Sequence, residues 1–113
     1  MKLSANGFLQ AVLTMQSDEP IAVGTPVKLT DNFEVAAGES GDAFCGVVCT
    51  SRDTICGVQL RGSVCLPYTG TAPDVGFAVL ACDGEGGVTA AETGTNVLVI
   101  AVDTDALTLT CLL

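Results

Sequence analysis

The stretch VLVIAVDTDALTLTCLL, residues 97–113, decides the fold class. In its second half Leu107, Leu109 and Cys111 alternate with Thr108 and Thr110, and a period of two sends one set of side chains to a core and the other to water. The first half, Val97 to Val102, is a run of aliphatic residues, and Asp103-Thr104-Asp105-Ala106 between the halves has the composition of a turn. Together they read as a β-hairpin.

Outward from this hairpin, short segments rich in Val, Ile, Leu and Thr alternate with Gly, Asp, Pro and Ser clusters. Strands are expected at Leu9 to Met15, Pro26 to Leu29, Phe33 to Ala36, Phe44 to Cys49, Thr54 to Leu60, Ser63 to Leu66, Phe77 to Ala81, Val97 to Val102 and Leu107 to Leu112. The first also suits one helical turn through Leu9, Val12 and Leu13. Gly57, inside TICGVQL, has no side chain to pack and predicts a bulge or a sharp corner. The fold class expected is all-β, a small closed barrel or sandwich in one domain spanning residues 1–113.

A second pattern bears on how that fold is built. Val35-Ala36-Ala37-Gly38-Glu39-Ser40-Gly41 has its outline repeated by Val88-Thr89-Ala90-Ala91-Glu92-Thr93-Gly94. Upstream, Val23-Gly24, Val27 and Asp31 recur as Val75-Gly76, Val79 and Asp83; downstream, Cys56, Val58 and Leu60 correspond to Leu109, Cys111 and Leu113. The pseudo-repeat covers 23–60 and 75–113. Two units are too few for a solenoid, so the expectation is two similar β-modules, each giving half of a core that neither could bury alone.

Composition limits the function classes. Apolar residues make up 49% and charged ones 15% of the chain, and the mean hydropathy is +0.55, which is too apolar for a disordered tail and leaves grease for subunit contacts. The longest apolar run, Val97 to Val102, is far short of the roughly 20 residues a membrane helix needs, and the start of the chain lacks a clean signal-peptide pattern, so folding in a cytoplasm is expected. Thirteen acidic against four basic residues give a formal charge of −9, which opposes both nucleic acid and anionic lipid as partners.

The chain has no histidine, which removes the commonest general base and the usual partner of a nucleophilic Ser or Cys. Lys28, Arg52, Arg61 and Tyr68 form no nucleophile elbow or phosphate loop, and Gly84-Glu85-Gly86-Gly87 lacks the lysine of a phosphate cradle. No enzyme activity and no cofactor are expected. Cys45, Cys49, Cys56, Cys65, Cys82 and Cys111 include no C-x-x-C pair, so they read as free thiols packed as small hydrophobes, with Cys45, Val47 and Cys49 on one strand face and Cys56, Val58 and Leu60 on another. Asp103 with Asp105, and Asp83 with Glu85, offer too few oxygens for calcium and read as turns.

GTPVKL (24–29), GDAFCGVV (41–48) and DTICGVQLRGSV (53–64), with the ending VIAVDTDALTLTCLL (99–113), resemble the capsid cement, or head decoration, proteins of tailed bacteriophages and prophages. The resemblance implies a β-rich protein, made in the bacterial host cytoplasm, that attaches as a trimer to the outer surface of the assembled virion capsid and braces the shell, with the major capsid protein as partner. It carries no defined binding residue across. Contacts with the capsid or between subunits are expected from the N-terminal segment, through Leu3 and Phe8, and from the loop PYTGTAP, through Pro67, Tyr68 and Pro73. The alternatives are another phage structural component, such as a head fibre or tail domain, and a small-ligand-binding β-barrel.

Overall fold

The computed structural model describes residues 11–113, and these form an all-β fold with no helix. Ten strands are present among them: β1 (Ala11–Gln16), β2 (Pro26–Asp31), β3 (Glu34–Ala37), β4 (Gly46–Arg52), β5 (Ile55–Arg61), β6 (Ser63–Pro67), β7 (Gly76–Cys82), β8 (Val88–Ala90), β9 (Thr95–Asp103) and β10 (Thr108–Leu112). The first five close into a barrel; the last five form a second sheet.

The two sheets share one connectivity. Followed around from its first strand, the barrel runs β1-β5-β4-β2-β3, and the second sheet runs β6-β10-β9-β7-β8. The barrel closes where β3 returns to β1 through a parallel pairing of Gln16 with Glu34. In the second sheet the corresponding ends approach through a parallel bridge between Tyr68 and Val88. The irregularities correspond as well: the β4–β5 ladder skips Cys49, and the β9–β10 ladder skips Ile100. An extra residue of this kind increases local twist and coiling, which lets a sheet of only five short strands curl onto itself. Gly57 lies against the first of these bulges, paired with Thr50, where a Cβ would run into the Thr50 hydroxyl.

That curling changes where the core sits. The expected core shared between two half-modules is replaced by one core per lobe. Met15, Ile21, Val27, Val35, Val48, Cys56 and Val58 fill the barrel. Leu66, Tyr68, Leu80, Cys82, Val88, Val99, Leu109 and Cys111 fill the second lobe. The strands differ from expectation at their ends: β4 starts at Gly46 rather than Phe44, Phe33 sits in the β2–β3 turn at φ +53°, and the three-residue β8 has no counterpart in the predicted set.

The lobes are joined by a one-residue connection and by direct contacts. Gly62 alone separates β5 from β6, and the buried Gln59 side chain donates from Nε2 to the carbonyls of Arg61 (3.1 Å) and Ser63 (3.0 Å) on either side of it. The β3–β4 connection of the barrel then lies along the second lobe. Gly41 N donates to Cys82 O (2.9 Å), and Cys82 N returns to Asp42 O (2.8 Å). Beyond them Phe44 enters the second lobe's core with Val47, while its backbone N–H and C=O are both bonded to Thr95 Oγ1, at 2.9 and 2.7 Å. Gly38 approaches Cys82 so closely that a Cβ there would overlap the thiol.

Truncating Phe44 removes the aromatic that the barrel's β3–β4 connection contributes to the second lobe's core. Phe44→Ala is expected to lower stability by about 3–5 kcal/mol, measured by urea titration followed by circular dichroism. Gly38→Ala, which must push the two lobes apart at Cys82, is expected to cost about 1–3 kcal/mol in the same titration.

Candidate functional site

The structure separates the contact residues expected from sequence. Leu3 and Phe8 lie outside the described residues. Pro67 is exposed at the end of β6, but Tyr68 is only 3% exposed and Pro73 is buried. The reason is the two-residue period of β6: Val64, Leu66 and Tyr68 point inward, while Cys65 and Pro67 point out. The PYTGTAP segment is therefore pinned rather than free, with Thr69 N donating to Val88 O at 3.0 Å, and Tyr68 and Pro73 belong to the packing of the second lobe rather than to a partner surface.

The turn acids act locally. Asp83 Oδ1 accepts from Glu85 N (2.7 Å) and Gly87 N (3.0 Å), and Asp103 Oδ1 accepts from Asp105 N and Ala106 N, both at 3.0 Å. These carboxylates replace backbone acceptors in tight turns. Asp42 Oδ2 does so twice over, taking Glu39 N (3.0 Å) and the Lys28 ammonium (2.8 Å). The hydrogen bond from Lys28 holds the Asp42 carboxyl below its ordinary range, and the same bond raises Lys28. Among the described residues no cluster of three or more Cys, Asp or Glu side chains is placed to hold a metal ion.

All six cysteines are free thiols. Cys56, Cys82 and Cys111 are buried; burial pushes the Cys82 thiol up to about 11 and that of Cys111 up to about 12. Cys45 and Cys65 are exposed and Cys49 half-buried, so Cys45 and Cys49 are not the core face that alternation with Val47 suggests. Cys45 precedes the strand, and the bulge at Cys49 breaks the two-residue period.

The surface features with binding capacity are apolar, and they differ between the lobes. On the outer face of the second sheet Phe77 pairs with Leu98, and Leu98 with Leu112, giving a row across three strands flanked by Val75 and Ile100. Phe77 is 81% exposed, and Val75 and Ile100 are exposed with it. Strands β6, β7, β8 and β10 contain no charged residue, and β9 has only Asp103 at its end. All four basic residues of the chain precede Gly62, so the second lobe carries acids alone.

On the barrel, Leu13, Met15, Leu29 and Phe33 line an open groove of about 440 Å³ between β1 and the β2–β3 turn. Glu34 follows Phe33 at the start of β3, and the Asp18 charge, followed by partial burial and the Asp31 charge, raises its pKa. No sequence pattern marks this apolar surface: Phe77 lies in GFAVLAC, where both alternating sets of residues are apolar, and Phe33, expected to open a strand, sits in a turn.

Two outcomes follow. Because Glu34 is raised, its charged form is disfavoured in the fold, so Glu34→Gln is expected to stabilise the protein at neutral pH, with the gain shrinking as pH falls through the raised pKa; urea titrations at pH 7 and in acid measure this. Iodoacetamide with peptide mass spectrometry is expected to modify Cys65 and, more slowly, Cys45 in the native protein, and Cys56, Cys82 and Cys111 only after unfolding. Compared with known family models and with characterised proteins, the chain matches none.

Proposed function

We propose that this chain is a structural binding module that decorates the outer surface of a tailed-phage or prophage head, with the major capsid protein as its partner and a trimer as its working form. The observation that carries the binding role is the apolar row Phe77, Leu98 and Leu112 across β7, β9 and β10, with Phe77 its most exposed member. An aromatic that exposed, beside Val75, Leu98 and Ile100, costs free energy in water and is expected at a site covered by protein. The head-decoration part rests on the resemblance of 24–29, 41–48, 53–64 and 99–113 to capsid cement proteins.

The chemistry of the molecule supports a structural role. Cys56, Cys82 and Cys111 are packed in the cores, Asp42, Asp83 and Asp103 serve turns, and apolar side chains occupy the interior of both lobes, so a small-ligand barrel is the weaker reading. Net charge of −9 suits the outside of a shell better than its DNA-lined interior. Identical copies bound across capsid subunits stabilise the assembled state by mass action, because the complete site exists only there.

Size-exclusion chromatography with light scattering is the test of the trimer. A three-chain mass is expected for the parent protein and a single-chain mass for Phe77→Ser; an unchanged mass in the variant overturns the assignment of this face. Cosedimentation with assembled heads of the phage whose genome encodes the chain tests the decoration reading, and failure to sediment with them overturns it.

A further inference from the structure

The barrel seam is only partly closed. On one side β1 is paired with β5 along its whole length, from Ala11 with Arg61 to Gln16 with Ile55. On the other side it meets β3 at a single position, Gln16 with Glu34, where Gln16 N donates to Phe33 O at 2.8 Å. Upstream of Gln16, this edge of β1 has no ladder partner among the described residues, and the gap beside it is the groove lined by Leu13, Met15, Leu29 and Phe33. Phe33 is 65% exposed and Leu29 59%. An unpaired strand edge flanked by exposed apolar side chains is the arrangement that accepts an added strand, with backbone bonds giving affinity and alternate side-chain pockets giving selectivity.

Charge names the occupant. Asp31 lines the groove, and Glu34, next to Phe33 in the chain, stands where β3 meets β1, with the Asp18 charge near it. The ion pair formed by Lys28 goes to Asp42, away from these three, and they face no cation among the described residues. The like charges are already crowded, since the Asp18 carboxylate disfavours the charged form of Glu34. A second copy of this acidic chain would add repulsion there; a cationic segment would remove it.

We infer that the open edge of β1 is a β-augmentation site for an extended polypeptide segment of a partner protein, one that alternates large apolar residues with Lys or Arg. Its apolar side chains occupy the groove between Leu13, Leu29 and Phe33, its backbone pairs with β1 upstream of Gln16, and its cations meet Asp18, Asp31 and Glu34. The site lies on the barrel, whereas the proposed oligomer seam lies on the second lobe. The inference therefore stands whether or not the partner is a capsid protein.

The probe is a fluorescein-labelled, capped decapeptide of alternating lysine and leucine, titrated with the intact protein and read by fluorescence anisotropy. Three controls replace lysine by glutamate, replace leucine by serine, or N-methylate alternate backbone amides of the same sequence. Saturable binding is expected at least about tenfold tighter than for any control, weakened about three- to tenfold by Phe33→Ser and by the pair Asp31→Asn with Glu34→Gln, and weakened by added salt. Both variants alter exposed or half-exposed positions, and their circular dichroism is compared with the parent to establish that they fold. Equal binding of the lysine–serine peptide, equal binding of the N-methylated peptide, indifference to Phe33→Ser, or no saturable binding of the lysine–leucine peptide each overturns the inference. The titration uses no capsid, so its failure and a failure to bind heads are separate results.

Discussion

Two small β-lobes with separate cores are tied together by one aromatic side chain that the barrel lends to the second lobe. Phe44 leaves the barrel on the β3–β4 connection and completes the packing of the second lobe, and the Thr95 hydroxyl bonds both its N–H and its C=O. Neither lobe is large: each core consists mainly of Val, Leu and Cys, which individually bury little area. A lobe of about 50 residues on its own is marginal. Burying Phe44 and Val47 across the boundary, together with the Gln59 bonds around Gly62, adds interface where an isolated lobe would expose apolar surface.

What the sequence revealed and what it concealed follow from the clarity of its two-residue periods. The closing hairpin alternates leucine with threonine and both its strands form, with Leu109 and Cys111 facing in, but Leu107 falls in the turn at φ +57° and is exposed. Cys56 and Val58 are buried and Leu60 packs against them, as their spacing implies. Where every residue is apolar the period is silent. GFAVLAC gives no means of deciding whether Phe77 or Ala78 faces in, so the most exposed large side chain described reads as core. Alternation in SVCLPY was readable, since Val64, Leu66 and Tyr68 lie two apart, but the glycine and prolines that follow made the tyrosine look like a loop residue. A bulge is harder still to anticipate: it shifts Cys49 out of the face it would share with Val47, and only a neighbouring glycine, Gly57, advertises it.

The acids show a similar division. Asp83, Asp103 and Asp42 are acceptors for turn backbone, a role their neighbours suggest. Asp18 is thirteen residues from Asp31 and sixteen from Glu34 in a spacing that matches no motif, and the fold brings its charge close to Glu34. The shared connectivity of the lobes makes the contrast sharper: one framework carries Lys28, Arg52, Arg61 and a groove lined by Asp31, the other an apolar row with no basic residue in its strands. The same backbone plan thus presents two chemically different surfaces.

The position of Phe44 also has a bearing on biogenesis. A ribosome releases the chain from its N-terminus, and β1 to β5 can pair as soon as Arg61 has emerged, because all their partners lie within that half. At that moment Phe44 and Val47 have nothing to pack against. The strands that cover them, β9 and β10 among them, are the last to be made. A nascent chain therefore spends the second half of its translation with an aromatic plug uncovered, and a prematurely terminated product carries it permanently, marked for chaperones or for aggregation by the residue that unites the finished protein.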